Sequence, residues 1–109
     1  MAIYMTQFTY TTEAWRAMIQ NPQDRSAAVS ELMQKSGGRL INFYYSFGDY
    51  EGLAIVETPD DFTNLVAKLT TLARGHLKDV KTTRLFTVEE TMEAMKKAGS
   101  MAFSSPSNQ

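Results

Sequence analysis

Apolar residues in this chain change their spacing several times, and the changes mark out its elements. Residues 2–9, AIYMTQFT, are rich in β-branched and aromatic side chains and predict a strand. Both of its phases carry large groups, with Tyr4, Thr6 and Phe8 on one side and Ile3 and Met5 on the other. Helical spacing takes over at Thr11 or Thr12, with Glu13 in the first turn, where an acid suits the helix dipole. Asn21-Pro22 breaks it, because proline lacks an amide donor and disfavours helix in the residue before it. The same pair restarts the helix, with Asn21 as cap, Pro22 at the first position and Asp24 in the first turn. Ala28, Val29, Leu32 and Met33 form its apolar stripe, and Gly37-Gly38 ends it.

Residues 39–47, RLINFYYSF, and 51–57, EGLAIVE, read as a second and a third strand. Gly48-Asp49 between them suits a two-residue turn, with the glycine supplying a positive φ. Thr58-Pro59-Asp60-Asp61 then predicts a helix start, with Thr58 as cap and Pro59 first. Phe62, Leu65, Val66, Leu69, Leu72 and Ala73 follow at three- and four-residue spacing, the clearest amphipathic pattern in the chain. Gly75 closes that helix, and the alternation of residues 77–86, LKDVKTTRLF, predicts a fourth strand. Thr87-Val88-Glu89-Glu90 has the form of a capping box and opens a last helix, which ends near Gly99 with Lys96 and Lys97 against the dipole. Residues 1–99 thus make one domain, and residues 100–109, SMAFSSPSNQ, a mobile tail.

Strand, helix, strand, strand, helix, strand and an added helix is the order of an α+β, ferredoxin-like βαββαβ fold with a four-stranded antiparallel sheet. In that fold both main helices cover one sheet face. Phe43, Tyr45 and Phe47 occupy one side of the second strand, and Leu40 and Tyr44 the other. Leu53 and Ile55 likewise oppose Ala54 and Val56 in the third. A sheet apolar in both phases leaves an exposed patch larger than monomers tolerate. The expected remedy is a second copy, packed sheet to sheet about a two-fold axis.

Composition removes whole classes of function. No cysteine is present, which excludes disulfides, thiolate nucleophiles and sulfur-ligated metals, and a single histidine, His76, excludes a histidine-based metal cluster within one chain. Eleven basic residues against twelve acidic ones, scattered along the sequence, form no field suited to nucleic acid. The N-terminus shows no secretory signal and no apolar stretch is long enough to span a bilayer, so a cytoplasmic protein without nucleic-acid or membrane partners is expected.

Candidate chemistry is sparse. Gly48 and Asp49 are explained by turn chemistry, whereas the turn requires neither Tyr50 nor Glu51. A tyrosine beside a carboxylate suits hydroxyl positioning or acid–base catalysis, and a cross-strand hydrogen bond or a cap at the sheet edge is the plainer account. Glu57 either projects into a cavity as a base of raised pKa or marks where its strand meets water. Arg84 either holds an anionic substrate through paired hydrogen bonds or pairs with a strand carboxylate. Tyr4, Phe43, Tyr44 and Tyr45, with Phe8 and Phe47, either line an apolar ligand site or fill core and dimer contacts.

The segments FGDYEGLAIVETPDD, KSGGRLINFYYSF and VKTTRLFTVEE resemble the GYD-domain family over roughly residues 3 to 95. Gly48, Asp49 and Tyr50 fit the first three positions of a pattern that resembles the family's Gly-x-Tyr-Asp, and Glu51 stands where aspartate is usual. The resemblance implies a ferredoxin-like fold related to dimeric α/β barrels, whose distant members include cofactor-independent monooxygenases, isomerases, haem proteins and ligand-sensing domains. Haem suits this chain poorly, because His76, its one imidazole, falls at a helix–loop junction, and no cofactor is expected. Two functions remain: binding, or cofactor-free transformation, of a small apolar organic molecule by a homodimer, and a non-catalytic homo-oligomeric or regulatory module.

Overall fold

Eight elements make up the computed structural model, which describes residues 1–106. They are β1 (Ala2–Tyr10), α1 (Thr12–Gln20), α2 (Arg25–Lys35), β2 (Arg39–Tyr45), β3 (Gly52–Thr58), α3 (Asp61–Ala73), β4 (Leu77–Leu85) and α4 (Val88–Gly99). The strands form one open sheet in the order β2-β3-β1-β4 with every neighbouring pair antiparallel, a ferredoxin-like fold with an extra helix. The last three residues of the expected 100–109 tail lie outside the described residues.

Side-chain oxygens start each helix by accepting orphan backbone N–H groups. Thr11 Oγ1 accepts from the Ala14 amide at 3.1 Å, and Thr87 with Glu90 closes the expected capping box at 3.0 and 2.9 Å. Two starts differ from the sequence reading. Asp24 rather than Asn21 caps α2, accepting from the Ser26 amide at 2.9 Å, so the helix begins after the Asn21-Pro22 pair. Asp60 rather than Thr58 caps α3, accepting from the Thr63 amide at 2.8 Å. Thr58 is instead the buried end of β3, and its hydroxyl donates to the Asp60 carbonyl at 2.9 Å. A carboxylate accepts more strongly than a neutral amide or hydroxyl oxygen, and in both places the aspartate prevails.

After α2 the chain turns at Gly37, whose φ of +83° is open to glycine at little cost, and enters β2 against β3. Gly38 admits no larger residue, since a Cβ there would lie 2.1 Å from the Glu57 carbonyl oxygen.

One sheet face carries the core. Tyr4, Phe8 and Tyr10 from β1 and Ala54 and Val56 from β3 are buried there, with Met33 of α2 and Ala67 of α3 above them. Val29, Leu32, Leu40 and Phe43 pack against the same cluster. Ile3, Met5, Leu53 and Ile55 point to the other face and are half-buried. The strict alternation of β3 is therefore as the sequence implies. In β2 it is not, because the register shifts between Leu40 and Asn42. The bulge sets Leu40 opposite Val56 and Phe43 opposite Ala54, so both residues lie on the core side rather than on opposite sides.

α3 departs further from expectation. Its buried residues are Asn64 and Ala67, while Phe62, Leu65, Val66, Leu69 and Leu72 are exposed. An amphipathic period shows that an apolar stripe exists and leaves open what it faces. Here small and polar side chains let α3 sit over the sheet, and the broad stripe looks outward. α4 continues past the body with Val88, Met92 and Met95 exposed. The radius of gyration is 18.2 Å with principal extents of 65 × 31 × 22 Å. A compact chain of this length has a radius of gyration of about 13 Å.

Candidate functional site

The hairpin between β2 and β3 is longer than a two-residue turn. β2 ends at Tyr45 and β3 begins at Gly52, leaving a loop over residues 46–51. Among the described glycines, positive φ occurs at Gly37 and Gly75 and not at Gly48, so the expected positive-φ corner is absent. With six residues to reverse direction, no single residue has to adopt the mirror-image corner. Ser46 holds the loop closed: its amide donates to the Glu51 carbonyl at 2.9 Å and its hydroxyl to the Tyr50 carbonyl at 2.6 Å.

Glu51 ties three elements together. Its amide donates to the Phe8 carbonyl at 2.9 Å, while Oε1 accepts from the Tyr10 amide and from the Trp15 indole N–H, each at 2.8 Å. The carboxylate thus fastens the end of β1 and the first turns of α1 to the hairpin. Around it Tyr10 meets Trp15 edge-on with centroids 5.1 Å apart, and Tyr45 lies tilted against Tyr10 and Trp15 and edge-on to Phe43. Burial, and then the Tyr45 hydroxyl 3.4 Å away, push the Tyr10 phenol well above its ordinary value. Tyr10 is therefore a neutral hydroxyl at physiological pH.

The other candidates are dispersed over both sheet faces. Tyr4 lies on the core face at the opposite end of β1, where its hydroxyl donates to the Asp61 carboxylate. Burial, and after it that carboxylate, raise its pKa. Arg84, opposite Tyr4 in the ladder, places its guanidinium 5.5 Å from the Tyr4 ring and 4.5 Å from the Phe86 ring, and donates to the Leu85 and Ile3 carbonyls. It makes none of the described ion pairs. Glu57 faces the other side and accepts from Arg39 Nε at 2.9 Å. Tyr44 shares that side, opposite Leu53, and is exposed.

Between the core face and helices α2 and α3 lies a half-open cavity of about 500 Å³. Phe8, Tyr10, Phe43, Ala54 and Val56 form its floor, and Val29, Leu32 and Met33 of α2 one wall. Ala67 and Thr71 of α3 form the facing wall. Of the site candidates singled out in the sequence, Phe8 and Phe43 line it. Tyr4, Tyr44, Tyr45, Tyr50, Glu51, Glu57 and Arg84 do not. This space is on the helix-covered side of the sheet, away from the face expected to pack against a second copy. Tyr10 and Trp15 were missed because the strand was ended one residue early and a lone tryptophan carries no positional signal. The α3 wall was missed because its small and polar residues are the ones a search for apolar stripes passes over.

A family model matches most of the chain. The model, described as the GYD domain, spans residues 4–95, from β1 into α4. The chain belongs to the GYD-domain family. Comparison with curated proteins gives no match. In this GYD protein the hairpin that carries the family's turn is the loop over residues 46–51, and the acid at its end is the residue that fastens β1 and α1.

Proposed function

We propose that this GYD protein binds a small, largely apolar organic molecule in the cavity between the sheet and helices α2 and α3. The observation that carries the reading is the cavity itself, about 500 Å³ with an aromatic and aliphatic floor. Small-molecule sites of this kind are concave, mostly apolar and roughly 300–1,000 Å³ in volume. Tyr50 and Glu51 stand outside the lining, so the activity proposed is binding, with Glu51 positioning Tyr10 at one end of the floor.

Titration with the neutral fluorophore phenylnaphthylamine tests the reading. The expected result is a saturable enhancement at one site per chain, abolished in both Val29→Trp and Thr71→Trp, which fill the space, and retained in Leu65→Ser on the outer face of α3. Enhancement that survives both filling variants and is lost in Leu65→Ser would place the probe on the exposed stripe and end the proposal.

A second reading, a homo-oligomeric module, is supported by the uncovered apolar surface. The open sheet face has Ile3, Met5, Leu53 and Ile55 at its centre and the Arg39–Glu57 ion pair towards one edge, the apolar middle and polar rim of a subunit contact. The outer stripe of α3 and the Val88, Met92 and Met95 stripe of α4 add two helical surfaces of matching length. Laid antiparallel between two copies, they set Lys96 and Lys97 of one beside the Asp60–Asp61 end of the other, which favours pairing in that sense.

A further inference from the structure

The charged side chains around the cavity are all of one sign. Arg25, Lys68 and Arg74 line it together with His76, and no aspartate or glutamate does. The chain as a whole holds eleven basic and twelve acidic residues, so this segregation does not follow from composition. Three elements supply the group. Arg25 opens α2, Lys68 and the capping residue Arg74 come from α3, and His76 leads into β4.

The topology gathers Arg25, Arg74 and His76 at one end of the cavity, beside Tyr10. Tyr10 is the last residue of β1 and pairs with Leu77, the first of β4. The following amide, of Thr11, donates to the His76 carbonyl at 2.9 Å. Arg25 is near enough to the Tyr10 hydroxyl to influence its ionisation. The remaining cation, Lys68, is half-buried further along α3.

Ordinary helix electrostatics explain part of this arrangement and not the rest. A cation at the C-terminus of α3 is favoured by the dipole, which accounts for Arg74. Arg25 is at the N-terminus of α2, where the dipole opposes a positive charge. Its guanidinium bonds to the neutral Gln23 side chain at 3.1 Å, and the neighbouring Asp24 carboxylate is engaged by the Ser26 amide instead. None of Arg25, Lys68 and Arg74 takes part in the ion pairs among the described residues. Cations from separate elements meet at the rim of an apolar space, Arg25 and Lys68 half-buried and Arg74 exposed. With no carboxylate paired to them among the described residues, they leave positive charge for a ligand to meet.

We infer that the ligand of this cavity is an amphipathic organic anion, its apolar body over Phe8, Phe43 and Val56 and its acid group at the Arg25, Arg74 and His76 end. The inference rests on the binding reading above and adds the charge and orientation of the ligand. A neutral molecule of the same shape gains the apolar contacts and nothing from the cations.

Two probes that share their rings and differ in one sulfonate separate the two claims. Anilinonaphthalenesulfonate is expected to bind the wild-type chain about tenfold more tightly than phenylnaphthylamine at low salt, the strength of one charge-assisted contact at a partly solvated rim. Raising the salt concentration narrows the difference. In Arg25→Gln/Arg74→Gln the preference falls to near parity while the neutral probe keeps its affinity, and Lys68→Gln lowers it in part. Equal affinities in the wild type, or a preference untouched by all three substitutions, overturn the anion inference and leave apolar binding standing. If neither probe saturates, the cavity reading fails and the inference goes with it.

Discussion

Glu51 has a structural task that its place in the sequence does not announce. One oxygen of its carboxylate satisfies the Tyr10 amide and the Trp15 indole together, both in the half-buried joint between sheet and α1. Leaving two such donors without an acceptor costs about 2–3 kcal/mol. Glu51→Ala is accordingly expected to lose about that much in urea unfolding, and Glu51→Gln, which keeps an acceptor oxygen, about 1 kcal/mol. Because Trp15 is the one tryptophan in the chain, its emission reports the same event. It should shift to the red in Glu51→Ala as the indole is released to water. An unchanged midpoint and spectrum in that variant would show that the joint holds without its acid. The residue was visible in the sequence as an acid the turn did not need. Its two partners were not, since they are respectively 41 and 36 positions away.

Among the elements, the helix starts have the most definite pH signature. Asp24 is held below its ordinary 3.8 by the Ser26 hydroxyl and amide, and Asp60 below the same value by the Thr63 amide and hydroxyl. Glu90 is held below its ordinary 4.5 chiefly by the Thr87 amide. A carboxyl whose folded value is depressed contributes stability that is complete above its unfolded value and is lost as pH falls through the folded one. The urea midpoint is therefore expected to decline as pH drops below about 4. Combining Asp24→Asn, Asp60→Asn and Glu90→Gln should flatten that acid limb, because the amides still accept at the caps and carry no titrating proton. A limb of unaltered steepness in the triple variant would assign the acid sensitivity to other groups. Helix positions and the Thr87–Glu90 cap were legible in the sequence. Which of several adjacent polar residues would cap α2 and α3 was not, since it depends on where each chain segment leaves the preceding strand.

At the scale of the molecule, α4 and the outer face of α3 are the features a single domain of this size does not need. The molecule is 65 Å in its longest dimension, and the α4 residues Val88, Met92 and Met95 are exposed and lie outside the core cluster. Removing residues 88–109 should therefore reduce the frictional ratio in sedimentation velocity and change the unfolding free energy by less than about 0.5 kcal/mol. If the two helical stripes join copies, the same deletion lowers the oligomer mass. A truncated chain that fails to fold would make α4 part of the core, and an oligomer of unchanged subunit number would remove it from the contact.

Local chemistry in the sequence determined the order of elements, and with it the ferredoxin-like topology, and the alternation of β3, because propensity, periodicity and capping act over a few residues at a time. The family was legible separately, in the resemblance of three segments. The tertiary structure alone decided the rest. A one-residue bulge moved Leu40 to the core side, α3 turned its apolar stripe away from the sheet, and residues distant in sequence closed around a cavity with cations at one end. Each of these depends on how whole elements are rotated and registered against one another. That is settled by packing among all of them at once, and the spacing of residues within one element does not specify it.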